Sequence, residues 1–177
     1  MPKLTFIQKM AMGKKHEGAI ARWCQKSGFT VFPACDFLPD GKGPRVSSDN
    51  RSTVSTDLLV WKGKDALWIE IKAKSSFTWH RRTGCWETGI DWKYYVEYKS
   101  IHDTSPWPVH LMFLQLGMPR PDDGNRIQPS GLYYNSLDVL GEPGVGRTYN
   151  PGQPGGMIYW KKDHLFKIAE LDEVIQD

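Results

Sequence analysis

The sequence is poor in several features that would settle its class at once. Cysteine is scarce: Cys24, Cys35 and Cys85 are the full set, with no Cys-x-x-Cys pair. An odd, sparse set argues against a disulfide scaffold and for reduced thiols in a cytoplasmic setting. The histidines, His16, His80, His102, His110 and His164, show no Cys/His ligand spacing, which argues against a structural zinc. No apolar run approaches the roughly 20 residues that cross a bilayer. No basic-then-apolar segment opens the chain, so a membrane is not an expected partner. Internal repeats and heptads are missing as well, which sets solenoids and coiled coils aside. Charge of one sign does not dominate: 23 Lys and Arg stand against 20 Asp and Glu, with a net charge of +3. A balance this mildly basic accommodates nucleic acid without marking it.

What is present is an ordinary globular composition, 40% hydrophobic and 24% charged over 177 residues. That length suits one domain, residues 1–177, with a full core. The densest information lies between Ser55 and Lys72, in Ser-Thr-Asp-Leu-Leu-Val-Trp-Lys-Gly-Lys-Asp-Ala-Leu-Trp-Ile-Glu-Ile-Lys. Two apolar runs, Leu58 to Trp61 and Ala66 to Ile71, flank a turn centred on Gly63-Lys64 and read as a β-hairpin. In that register Lys62 faces Asp65 and, continuing outward, Asp57 faces Glu70. Opposed side chains have Cβ atoms roughly 4.5–5.5 Å apart, and opposed like charges are destabilising. Two such carboxylates need a cation or a shared proton. Strand side chains alternate, so Lys72 shares a face with Glu70. Two carboxylates and an ammonium on one hairpin face suit a hard divalent cation, which takes oxygen ligands. The plain alternative is a Glu70–Lys72 surface pair on an edge hairpin.

Asp57 followed by Glu70-Ile71-Lys72 resembles the core motif of the PD-(D/E)xK nuclease superfamily, with Thr56 standing where the motif name has proline. The resemblance implies an α/β, restriction-endonuclease-like fold: a central mixed β-sheet flanked by helices. It implies Asp57, Glu70 and Lys72 as catalytic residues. It also implies a metal site of Asp57, Glu70 and the Ile71 carbonyl, holding Mg²⁺ with Mn²⁺ as a substitute. Many members carry a further acid on the first helix. Glu17 is the candidate here, in a segment where Ile20, Trp23 and Cys24 recur at helical spacing. Gly28 is a good helix stop, and Met10, Glu17 and Cys24 are seven apart. The bland reading of Glu17 is a solvated helix residue beside Lys14.

Around this motif the chain reads as a helix to about Ser27, a strand from Phe29 to Phe32, and a long loop from Pro33 to Ser55. That loop carries Lys42, Arg45 and Arg51, a basic set able to meet phosphates, with a solvated surface loop as the default. Ala73 to Gly89 reads as another loop, followed by a helix from Ile90 to His102 and an apolar strand from Val109 to Leu116. The resemblance covers roughly 13–116. Residues 117–177 form a C-terminal extension in which Leu132–Tyr134 and Met157–Trp160 read as short strands paired with each other. Leu165 to Ile168 extends them, and Leu171 to Ile175 is a terminal helical turn.

The loop after Lys72 carries Lys74, Trp79, His80, Arg81 and Arg82, the expected nucleic-acid-binding set. Basic side chains contact phosphates and aromatic faces stack on bases. On the following helix, one nuclease branch, the recombination exonucleases, has a Gln-x-x-x-Tyr motif. Here Tyr94 or Tyr98 offers the tyrosine, but Ile90 or Tyr94 stands where that glutamine would be, and Trp92 and Tyr95 read as core. The expectation is a Mg²⁺-dependent DNA endonuclease, structure-selective for branched or junction DNA. An exonuclease and a non-catalytic nucleic-acid-binding protein on the same fold are the alternatives. DNA is the expected partner, and a homodimer is the assembly by which many members of the superfamily cut both strands.

Overall fold

The computed structural model describes residues 6–33, 45–48 and 51–175. Cys35 and Lys42 lie outside them, and Arg45 and Arg51 are placed by backbone alone. The chain begins with helix α1 (Phe6–Lys26). It ends where the sequence implies: Gly28 takes φ +86°, and the Phe29 amide donates back to the Cys24 carbonyl at 3.0 Å. A left-handed residue just past the last turn is the position that favours glycine. Strand β1 (Thr30–Pro33) follows, then a hairpin of β2 (Arg45–Ser48) and β3 (Arg51–Val54) inside the segment read as loop.

Strands β4 (Leu58–Lys62) and β5 (Asp65–Lys74) form the predicted hairpin, with Lys62 opposite Asp65 and Leu58 opposite Ile69. Gly63 takes φ +64° at the turn. Two corrections follow. Ala73 to Gly89 is largely strand: β5 runs on to Lys74, then β6 (Thr78–His80) and β7 (Cys85–Asp91) make a second hairpin. Helix α2 (Trp92–Thr104) therefore starts two residues later than expected, with Asp91 extended at φ −60°, ψ 137° as its N-cap residue.

The remaining elements are β8 (Val109–Leu116), β9 (Ser130–Ser136), α3 (Leu137–Leu140), β10 (Gly146–Tyr149), β11 (Met157–Lys161), β12 (Phe166–Ala169) and α4 (Leu171–Val174). The main sheet has the order β1-β4-β5-β8-β9-β12. It is mixed, because β5 and β8 run parallel while the other pairs are antiparallel. A second sheet has the order β10-β11-β7-β6. The strands at 130–136 and 157–161 do not pair with each other. The first joins β8 and β12 in the main sheet, and the second lies between β10 and β7.

Strand β8 is central and covered on both faces, which explains its nearly continuous apolar run. Met112 and Leu114 pack with Ile20 and Cys24 of α1, and with Ile69 and Ile71 of β5. Leu111 and Phe113 pack on the opposite side with Tyr98 and Ile101 of α2, Leu137 of α3, and Ile158 and Trp160 of β11. The main sheet thus sits between α1 and α4 on one face, and α2, α3 and the second sheet on the other. Alternation along β5 sends Ile69 and Ile71 toward α1 and Glu70 and Lys72 toward α2.

Candidate active site

Glu70 is 2% exposed, on a strand with neighbours on both sides. That removes the surface-pair reading, because a buried charge needs partners. Asp57, immediately before β4, lies one step past the last ladder pair and opposite Glu70. Its Oδ2 accepts the Ile71 backbone N–H at 2.7 Å, which ties the start of β4 to the residue between Glu70 and Lys72. The Lys72 ammonium donates to Glu70 Oε1 in an ion pair. Tyr98, reaching down from α2, donates its hydroxyl to the same oxygen at 2.5 Å. Lys72 Nζ is 3.4 Å from that hydroxyl. It also lies over the rings of Tyr94 and Tyr98, 5.5 and 5.7 Å from their centroids. The two rings stack at 6.3 Å with 17° between their planes.

The electrostatics follow from burial and crowding. Burial is the largest influence on Asp57, and with the Glu17 charge it outweighs Lys72 and the Ile71 amide, lifting the carboxyl to about 6. Burial again, then Asp57, lifts Glu70 to about 7 against the stabilising pull of Lys72 and Tyr98. For Lys72, burial works against its charge, yet Glu70 and Asp57 prevail and hold it above the ordinary lysine value. Burial and the Glu70 charge keep the Tyr98 phenol protonated, well above the usual phenol range. Among the described residues, two carboxylates thus share one ammonium, and negative charge exceeds positive there.

A divalent cation fits this donor set. Among the described residues, neither Asp57 Oδ1 nor Glu70 Oε2 has a hydrogen bond, and both carboxylates are held above their ordinary values, chiefly by burial, with Glu17 adding to Asp57 and Asp57 adding to Glu70. No three His, Cys, Asp or Glu side chains converge as a ready cage among the described residues. Mg²⁺ commonly takes only one or two carboxylates and keeps waters and phosphate oxygens as its other ligands. Glu17 is half-buried on α1 and near enough for its charge to raise Asp57.

The nucleic-acid set divides. Lys74 continues the Glu70–Lys72 face of β5. Burial and the neighbouring Lys72 lower it from the ordinary lysine value, and it forms no ion pair among the described residues. Trp79 and His80 sit on β6, at the edge of the second sheet. The Trp79 ring meets Trp86 edge-on at 5.1 Å, and the Arg126 guanidinium lies 4.3 Å from its centroid. His80 Nδ1 is 2.7 Å from Thr83 Oγ1 and 3.8 Å from Glu87 Oε1. Arg81 and Arg82 are exposed at the turn between β6 and β7. Tyr98, which the sequence offers only as a candidate tyrosine of the Gln-x-x-x-Tyr motif, is a further residue of the site. Its position on the helix after Glu70-x-Lys72, four residues beyond Tyr94, was the available signal.

No family profile and no curated protein matches the sequence. Two solved structures are similar to the chain. One is Hjc of Archaeoglobus fulgidus, a Holliday junction resolvase from an archaeal hyperthermophile, with 11% identity over 86% of this chain and 90% of that one and a TM-score of 0.48. The other is D212, a nuclease from a fusselovirus, with 15% identity over 98% of this chain and 90% of that one and a TM-score of 0.40.

Proposed function

We propose that this protein is a metal-dependent deoxyribonuclease of the PD-(D/E)xK type, an endonuclease that hydrolyses phosphodiester bonds in branched or junction DNA. The observation that carries the reading is the placement of Asp57, just before β4 and bonded to the Ile71 amide, beside the Glu70–Lys72 ion pair, in the order and on the hairpin that the motif requires. Buried, mutually repelling carboxylates with open oxygens are costly to keep in a fold. They fit a site that receives positive charge from outside the chain.

In this reading Asp57 and Glu70, with Glu17 and the Ile71 carbonyl alongside, hold Mg²⁺ or Mn²⁺. The cation supplies Lewis-acid polarisation of the phosphodiester and hydroxide near neutral pH. Lys72 then has two tasks. Its ammonium orients the attacking water, and it stabilises the negative charge that grows on the phosphoryl oxygens. The water oxygen bonds to phosphorus and gives up one proton to the solvent, the bond to the leaving ester oxygen breaks, and that oxygen takes up a proton from the solvent. Tyr98 holds Glu70 Oε1 in place through its hydroxyl. Lys74 meets a phosphate of the bound strand, an ammonium with no ion-pair partner among the described residues beside the reacting centre. Arg81 and Arg82 meet the backbone farther out.

The test is cleavage of supercoiled plasmid, linear duplex, single strands and a four-way junction with Mg²⁺, Mn²⁺ or EDTA, beside Asp57→Ala. Cutting that needs metal and fails in the variant is the expected result, with the junction cut fastest. DNA binding without cutting on any substrate would replace the enzyme with a binding protein. Digestion only from ends would make it an exonuclease.

A further inference from the structure

A cleft of about 680 Å³ lies between the first turns of α2 and the Gly152–Gly156 loop that joins β10 to β11. Its helix side presents Trp92, Lys93, Tyr94, Val96 and Glu97. The loop is fastened to the helix, since the Trp92 amide donates to the Gly156 carbonyl at 2.8 Å. It is closed on itself by Gly156 to Gln153 at 2.9 Å and Gln153 to Asn150 at 3.1 Å. Gly152 and Gly155 take φ +77° and +76°, and a Cβ at either would meet nothing within 4 Å. The loop side of the cleft is open at its glycines and carries Gln153 and Pro154 beside them.

We propose that this cleft binds one unpaired nucleobase of the DNA, next to the phosphodiester that is cut. The proposal rests on the nuclease reading above and names the substrate feature that the site selects. Position is the first argument. Tyr94 lines the cleft and also carries Lys72 on its ring at 5.5 Å, so the cleft adjoins the Asp57–Glu70–Lys72 centre. Lining chemistry is the second. Tyr94 and Val96 are 39% and 49% exposed, apolar surface open to a flat partner, and aromatic faces stack on bases of any sequence. Glu97 is the third. Its Oε2 is buried and has no hydrogen-bond partner among the described residues. The terminal torsion of a glutamate is soft, so an N–H donor in the cleft can draw this oxygen toward it at little cost. Lys93, one turn earlier on the same helix face, lies over Tyr94 at 5.9 Å.

A carboxylate at this place repels a phosphate and accepts N–H donors. Nucleobase edges supply such donors, and in a duplex they are spent on the opposite strand. The occupant is therefore an unpaired base. Guanine presents N1–H and its amino group side by side, which suits one carboxylate. Thymine offers a single N–H between two carbonyl oxygens and suits it least.

The experiment uses duplexes with a single unpaired nucleotide near the cut position. For binding, that nucleotide is 2-aminopurine, in Ca²⁺ buffer. For cleavage in Mg²⁺, it is guanine or thymine. Emission should fall on binding at one position of the unpaired base, and the fall should be lost in Val96→Glu. The guanine substrate should be cut about tenfold faster than the thymine one, within what one bidentate side chain–base pair discriminates. Glu97→Gln should flatten that preference. DNA binding with unchanged emission at every position, or equal rates for both bases, would overturn the base site and leave the nuclease standing. Quenching without cutting of any DNA would do the reverse.

Discussion

Two buried glutamates, Glu70 and Glu87, are treated in opposite ways. Glu87 on β7 is 3% exposed and belongs to the second sheet. The Arg147 guanidinium grips both of its oxygens, at 2.6 Å to Oε2 and 3.4 Å to Oε1. One carboxylate meets one planar cation through a fork, and the pair is closed. Glu70 is buried as deeply, yet it shares its cation with Asp57, and its hydrogen bonds, from Lys72 and Tyr98, fall on a single oxygen. The difference lies in the balance of charge. A balanced buried pair can serve the fold alone. An unbalanced one costs stability and is explained by a ligand that completes it.

Breaking the two sites should give opposite outcomes. Glu70→Gln should lower DNA cleavage at least about a hundredfold while leaving the fold intact, because it removes the charge that a cation requires. Arg147→Ala should leave cleavage close to wild type and lower thermal stability, since it strands Glu87 inside the second sheet. The cost should be on the order of 1–3 kcal/mol, moderated by the partial exposure of the guanidinium.

The pH dependence should separate the sites next. Asp57 and Glu70 lie near 6 and 7, above their ordinary values of 3.8 and 4.5. Between about pH 4 and 7 the folded state therefore binds more protons than the unfolded state, and stability falls as pH rises through that window. Melting curves without metal should show the fall in the wild type and flatten in Glu70→Gln. Added Mg²⁺ should recover stability at pH 8 in the wild type alone. The smallest effect belongs to Glu17→Gln, which should weaken Mg²⁺ affinity a few-fold in a calorimetric titration. An identical titration would return Glu17 to a surface role.

The hairpin register was legible because Gly63-Lys64 fixes the turn, and two-residue periodicity then decides which residues face each other. Helix α1 was legible from apolar spacing and Gly28, and β8 from its nearly continuous apolar run. The β6–β7 hairpin was hidden by its composition. Cys-Trp-Glu-Thr-Gly-Ile-Asp carries buried polar residues whose partners are remote: Arg147 for Glu87, and Gln115, which donates to Thr88 at 3.0 Å. Gly89 reads as a strand breaker, yet a Cβ there would come within 2.2 Å of the Ile158 carbonyl, so β11 can approach only because it is glycine. Pairings such as β7 with β11 are set by packing across the whole chain. The position of Tyr98 after the motif was legible, but its bond to Glu70 was not, because it depends on α2 crossing above β5.

The measurement that tests the central claim most directly is Mg²⁺-dependent plasmid cleavage by wild type, Lys72→Ala and Arg147→Ala, with DNA binding measured on each. The account predicts cutting by wild type and Arg147→Ala, none by Lys72→Ala, and binding by all three. Undiminished cutting by Lys72→Ala would contradict it and place the chemistry elsewhere.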